Sequence, residues 1–131
     1  MPNILVVEDD DMNRDMLARH LKWEGYETIT AVNGAQAITL ARSEPVDLIL
    51  MDMGLPILDG WQVTQRLKMA PATQAIPIIA LTAYALTEDR AKCIQAGCDD
   101  YETKPVDFPR LISKMRHWLA TAKPEKAHEG A

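Results

Sequence analysis

Short apolar runs alternate with stretches of helical period along the chain. Ile4-Leu5-Val6-Val7 is followed by a helical stretch, then Glu27-Thr28-Ile29-Thr30, a second helical stretch, and Leu48-Ile49-Leu50-Met51, which reads as β-α-β-α-β. The beat continues with a helix over Trp61–Met69, a strand at Ile78-Ile79-Ala80-Leu81, a helix over Thr87–Ala96, a short strand at Tyr101 and a last helix over Asp107–Ala122. Five strands and five helices are therefore expected. The first, third and fourth strands are continuous apolar runs, the pattern of strands buried on both faces by crossover helices, so they belong in the middle of a parallel sheet. In the last helix Phe108, Leu111, Ile112, Met115 and Leu119 recur at helical spacing with charge on the remaining face, so one side packs on the sheet.

Punctuation supports these bounds. Gly25 and Gly97 follow the first and fourth helices where a C′ residue belongs, and Thr87 precedes Glu88 and Asp89 as an N-cap before first-turn acids. Pro45 and Pro77 stand where loops run into strands. From Lys123 onward the chain has no apolar face, so residues 1–121 are read as one domain and residues 122–131 as a disordered tail.

Composition narrows the class. At 131 residues with 47% apolar and 25% charged residues, the chain suits one globular domain that buries roughly two-thirds of its unfolded surface. No apolar run nears the ~18 residues of a membrane span, and Met1-Pro2-Asn3 leads into the first strand without a basic region, so a cytoplasmic protein without membrane contact is expected. Cys93 and Cys98 form neither a CxxC pair nor a zinc pattern and are read as free thiols, buried or half-buried. His20, His117 and His128 are too scattered to hold a metal. The net charge of −5, with Lys and Arg thinly spread, offers no stripe for direct nucleic-acid binding.

In an open parallel sheet ligands bind beyond the carboxyl ends of the strands. There the first strand is followed by Glu8-Asp9-Asp10-Asp11, the third ends in Asp52, the fourth in Thr82, and Lys104 follows the fifth. Acids gathered at one edge repel one another unless a cation holds them ionised. Mg²⁺, which takes one or two carboxylates and keeps several waters, suits Asp9 and Asp52 as direct ligands with Glu8 acting through water. With Lys104 the loaded site is then about neutral and can accept a phosphoryl group. Asp10 and Asp11 are read as caps of the first helix in preference to metal ligands. Pro56, Asp59 and Gly60 are read as turn residues, and Trp23, Trp61 and Trp118 as packing residues.

Glu8-Asp9, the run Asp52-Met53-Gly54-Leu55-Pro56-Ile57-Leu58-Asp59-Gly60, Thr82-Ala83 and Lys104-Pro105 together resemble the signature of response-regulator receiver domains of two-component signalling, over residues 3 to about 121. The resemblance implies a flavodoxin-like doubly wound (βα)5 α/β fold with a central five-stranded parallel sheet, and the start at Met1 with no output domain in the sequence leads to the expectation of a stand-alone receiver. It implies that Asp52 is the nucleophile, taking a phosphoryl group from a phosphohistidine on a sensor histidine kinase or histidine phosphotransfer protein. Lys104 and Thr82 would then hold the phosphoryl oxygens, the Gly54 carbonyl would complete the shell of Mg²⁺, with Mn²⁺ as a substitute, and a cis Lys104-Pro105 bond would aim the ammonium inward. Thr82 and Tyr101 become the switch that alters the face of the fourth helix, fifth strand and fifth helix for a downstream protein target. Gly54 and Tyr84 become the positions that tune phosphoryl lifetime, a large Tyr84 ring covering phosphorus. Such a chain catalyses its own phosphorylation and dephosphorylation without being a turnover enzyme.

Two other readings stay open on sequence. A flavodoxin-like binding module shares the β-α order, although its FMN phosphate wants a Ser/Thr/Gly loop where four acids stand. A haloacid-dehalogenase-type phosphatase would use Asp9 as nucleophile within Asp9-Asp10-Asp11, although the chain has no room for a cap and Asp52 loses its purpose.

Overall fold

The computed structural model describes residues 1–55, 58–83 and 87–130, the side chains of 87–90 and 122–130 aside. In chain order it consists of β1 (Asn3–Val7), α1 (Asp11–Trp23), β2 (Glu27–Ala31), α2 (Gly34–Ser43), β3 (Leu48–Asp52), α3 (Gly60–Met69), β4 (Ile78–Thr82), α4 (Thr87–Ala96), β5 (Asp100–Thr103) and α5 (Phe108–Gly130). The strands form one parallel sheet in the order β2-β1-β3-β4-β5. The three apolar strands are thus the inner ones, and β2 and β5 are the edges.

Alternation along each inner strand separates two cores. Leu5, Val7, Ile49, Met51, Ile78 and Ala80 face Ala37 and Ala41 of α2, Val63 and Leu67 of α3 and Cys93 of α4. Ile4, Val6, Leu48, Leu50, Ile79 and Leu81 face Leu17 and Leu21 of α1 and Leu111, Ile112 and Met115 of α5. Both parities of an inner strand are therefore buried, which is why its sequence does not alternate. Each fully buried Val, Leu, Ile or Met side chain among them contributes ~1.5–3 kcal/mol relative to exposure.

The helix ends follow their residue chemistry. Gly25 and Gly97 adopt φ of 98° and 103°. In each case the following N–H reaches back to close the helix, Tyr26 to Leu21 and Cys98 to Cys93, both at 3.0 Å, a Schellman closure that only glycine enters without strain. The Thr87 cap lies outside the described side chains. α5 runs past the expected Ala122 to Gly130; Ala, Lys and Glu, good helix formers, dominate the extension.

Cys93 and Cys98 are buried and form no disulfide, and the neighbouring Cys93 thiol together with burial holds Cys98 well above the ordinary thiol range. On the edge strand β5, Glu102 is buried but paired: Arg110 Nε lies 2.8 and 3.0 Å from its two oxygens and Lys114 Nζ 3.5 Å away. Such pairing is what makes a buried carboxylate tolerable. Trp118, expected as a packing residue, also donates from Nε1 to Asp100 at 2.9 Å. Trp23, by contrast, is 87% exposed.

Candidate functional site

Strand register assembles the site. Val7 pairs with Met51, Asp52 with Leu81, and Thr82 with Thr103, so the residues that close or follow these strands stand side by side: Glu8, Asp52, Thr82 and Lys104. The strand hydrogen bonding continues one step past the strands, from Glu8 N–H to Ala31 C=O at 3.1 Å and from Lys104 N–H to Thr82 C=O at 2.8 Å, and this fixes where the two side chains start. The Lys104-Pro105 bond is cis, as the resemblance implied.

Glu8 and Asp52 are buried, at 1% and 5% exposure, and Asp9 is exposed. One carboxylate oxygen from each lies within 4.8 Å of the others. Lys104 Nζ donates to Glu8 Oε1 and to Asp52 Oδ1, both at 3.1 Å. Gly54 N–H donates to the same Asp52 Oδ1 at 3.0 Å. These groups, with Thr82 and Trp61, line a cleft of about 290 Å³.

The charges explain the chemistry. Burial, then the hydrogen bond and charge of Asp52, push Glu8 up to about 7 against the opposing pull of the Asp10 N–H and Lys104. Burial works against the Lys104 ammonium, but Asp52 and Glu8 outweigh it and hold the lysine above its usual value. Three carboxylates face one cation, an excess that a divalent ion cancels. The ligand set is all oxygen and has one exposed member, which fits a hard ion that keeps part of its water.

A pH dependence follows for the metal-free chain. Because Glu8 in the fold titrates near 7, the folded chain keeps a proton over a range where the unfolded chain has released it. The contribution of Glu8 to stability is therefore greatest below pH ~4.5 and is lost as pH rises toward ~7, by up to about 3 kcal/mol. Denaturant unfolding in EDTA between pH 5 and 8 should show this decline in wild type and a flatter profile in Glu8→Gln. A wild-type profile no steeper than that of the variant would contradict it.

Flanking residues have separate tasks. Asp10 caps α1 by accepting from Asn13 N–H at 2.8 Å, and Asp11 pairs with Arg14 while its side chain stays 89% exposed. The Asp9-x-Asp11 pair of the phosphatase reading is thus not gathered at the cleft. Asp59 caps α3 in a reciprocal box with Gln62. Gly60 is required by close approach, since a Cβ there would lie 2.5 Å from Asp52 O and 2.7 Å from Met53 Cα. Tyr101 lies opposite Ala80, half-buried against the core beneath α2, α3 and α4, with Lys114 Nζ 5.2 Å from its ring. Pro105 is exposed. Pro56 and Tyr84 lie outside the described residues.

Sequence reading missed Arg14 and the place of Trp61. Arg14 Nη1 donates to the carbonyls of Glu8, at 2.9 Å, and Asp9, at 3.4 Å, and so clamps the acidic loop. Its spacing from Asp11 signals an ion pair, but nothing in the sequence signals the carbonyl contacts. Trp61 reads as a packing residue and does pack on the core, yet it also lines the cleft.

Comparison with known proteins agrees with this geometry. Residues 4–116 match the family model of the response regulator receiver domain. The chain is 39% identical over 120 residues to the polar-differentiation response regulator DivK of Brucella anthropi, which covers 92% of this chain and 98% of that protein. Among solved structures, the receiver domain of a sensor histidine kinase from Pseudomonas aeruginosa, with a magnesium ion coordinated in its active site cleft, is 38% identical with a TM-score of 0.84, covering 91% of this chain and 98% of that one. The Vibrio cholerae chemotaxis protein CheY4 has a TM-score of 0.84 at 26% identity, covering 89% and 98%. No helix among the described residues is long and apolar enough to cross a membrane. With a parallel sheet in the order β2-β1-β3-β4-β5 and strand-end acids facing one lysine, this chain belongs to the response regulator receiver domain family.

Proposed function

We propose that Asp52 is the phosphoacceptor and that the phosphoryl group comes from a phosphohistidine on a histidine kinase or phosphotransfer protein. The observation that carries this is the Lys104 ammonium at 3.1 Å from both Asp52 and Glu8, with Asp9 beside them. Asp9, Asp52 and the Gly54 carbonyl would hold Mg²⁺, or Mn²⁺ in its place, with Glu8 acting through water. The ion supplies positive charge for the transferring oxygens when bound. An Asp52 carboxylate oxygen attacks phosphorus, the P–N bond breaks, and the imidazole leaves with the electron pair, neutral because its other nitrogen carries the proton. Lys104 balances charge on the equatorial oxygens and the Thr82 hydroxyl donates to one of them, so catalysis is positioning plus neutralisation.

The surface beside the cleft supports a helical protein donor. Met12, Met16 and Trp23 of α1 are 81%, 48% and 87% exposed, at spacings that share one helix face. A groove of about 480 Å³ joins Met16 to Pro105, Val106 and Phe108 and reaches Lys104 and Glu8. A partner helix lying there would bring a histidine to Asp52. Retraction of Thr82 toward the phosphate, with Tyr101 following, would then alter the α4, β5 and α5 face read by a downstream target.

Acetyl phosphate and Mg²⁺ should add one phosphoryl group, placed on Asp52 by peptide mass analysis, and EDTA should prevent it. Modification at another residue, or metal-independent uptake, would overturn the reading.

A further inference from the structure

On one wall of the cleft, formed by Gly54 and Trp61, no side chain has a part in the chemistry described so far. Gly54, two residues past Asp52, leaves its side of the cleft without a side chain, and a Cβ added there would meet only Asp52 Oδ1, at an ordinary 3.6 Å. Trp61 lines the same cleft. It is the second residue of α3, whose start is pressed on the Asp52 backbone at Gly60 and bracketed by the Asp59–Gln62 box. The indole packs inward on the core, and Lys92 of α4 places its Nζ 5.0 Å from the ring centroid. A large flat ring, held by contacts on two sides, thus lines the same cleft as the position left bare by glycine.

We propose that Trp61 is a positioning residue of the phosphoryl site, closing the lip left bare by Gly54 so that water reaches the aspartyl phosphate slowly, with Lys92 steadying the ring from α4. The inference rests on Asp52 as phosphoacceptor. Hydrolysis requires a water oxygen to attack phosphorus opposite the Asp52 oxygen; the P–O bond to Asp52 breaks, the carboxylate returns, and inorganic phosphate leaves with the water's protons. That line of approach needs open space beside the phosphoryl group. An indole excludes water from such space and has no acceptor that can take a proton from it. The cation–π contact ties the ring to α4, so the length of the signal and the position of that helix depend on one side chain.

The test loads the full chain with acetyl phosphate and Mg²⁺, removes the donor, and follows phosphate loss by intact mass. Trp61→Ala should lose phosphate about tenfold faster, equivalent to about 1.4 kcal/mol of barrier. Trp61→Phe, which keeps a ring, should stay within about twofold of wild type, and Lys92→Gln should fall between them. Gly54→Leu in the Trp61→Ala background should restore slow loss by filling the same space, which a purely structural role for Trp61 does not predict. In a Trp23→Phe/Trp118→Phe chain, the emission of the one remaining tryptophan should change on adding Mg²⁺ and beryllofluoride. Should Trp61→Ala not fold, Trp61→Leu against Trp61→Phe carries the comparison, since leucine keeps apolar packing without the flat ring; equal rates overturn the inference. Normal uptake with wild-type loss in Trp61→Ala overturns this inference alone, whereas absence of uptake on Asp52 in the wild-type chain overturns the phosphoacceptor reading beneath it.

Discussion

Asp52→Asn should take up no phosphoryl group from acetyl phosphate or from a phosphohistidine donor, because the amide oxygen that replaces the carboxylate is not a nucleophile. The variant should nevertheless fold. Its carbonyl oxygen can still accept from Gly54 N–H, as Asp52 Oδ1 does at 3.0 Å, and the volume at this buried position is unchanged. Two linked effects follow from the acid cluster. Glu8 is pushed up by its burial first and then by the hydrogen bond and charge of Asp52, so losing that charge lets Glu8 titrate lower and reduces the fall in metal-free stability between pH ~4.5 and ~7. Mg²⁺ binding should weaken by roughly tenfold or more, the size associated even with partners outside the ligand shell. Intact mass, a denaturation series over pH and a Mg²⁺ titration check the three effects. Retained phosphorylation in this variant would mean that another residue is the nucleophile.

Lys104→Ala separates charge balance from nucleophilicity. The ammonium is the cation that Glu8 and Asp52 share, at 3.1 Å each, and removing it strands two buried carboxylates. A fully buried pair broken in this way costs 3–5 kcal/mol. Lys104 keeps 27% of its side-chain exposure, and Glu8 can take up a proton, so a metal-free loss of about 1–2 kcal/mol at neutral pH is expected. Mg²⁺ should restore much of it by mass action, because the ion binds the folded acid cluster and not the unfolded chain. Mg²⁺ affinity should be undiminished, since a competing positive charge is gone. Phosphorylation should be slower, and the phosphate that forms should no longer change amide exchange across α4, because the group joining phosphate to the β5–α5 loop is missing. An unchanged exchange response, or a metal-free variant as stable as wild type, would show that Lys104 does not have this role.

Much of the architecture was legible because its cause is local. Burial of an inner strand on both faces demands an unbroken apolar run, and β1, β3 and β4 have one; a helix that needs a left-handed terminus shows a glycine, as at Gly25 and Gly97. The edge strands were harder to bound: β2 is only partly buried and β5 carries Asp100 and Glu102, so neither shows the apolar signal. The acids, Thr82 and Lys104 were legible as a group because each directly ends or follows a strand, and the strand-end rule converts that position into a shared edge.

Contacts that depend on distant segments were not legible. Lys104 and Glu8 are 96 residues apart, and only the strand order and register decide that one ammonium reaches two carboxylates. Arg14 holds the carbonyls of Glu8 and Asp9 because α1 turns back over the loop it follows. Trp61 sits at the cleft because α3 begins in contact with the Asp52 backbone, an approach that the missing Cβ of Gly60 permits. By itself the sequence determined which residues are chemically able to act and which strand ends carry them, since periodicity and side-chain type are properties of neighbouring positions. Only the tertiary structure decided distances, burial and therefore charge state: Glu8 is an ordinary glutamate in the chain and titrates near 7 in the fold, because packing removes its water and sets a second carboxylate beside it.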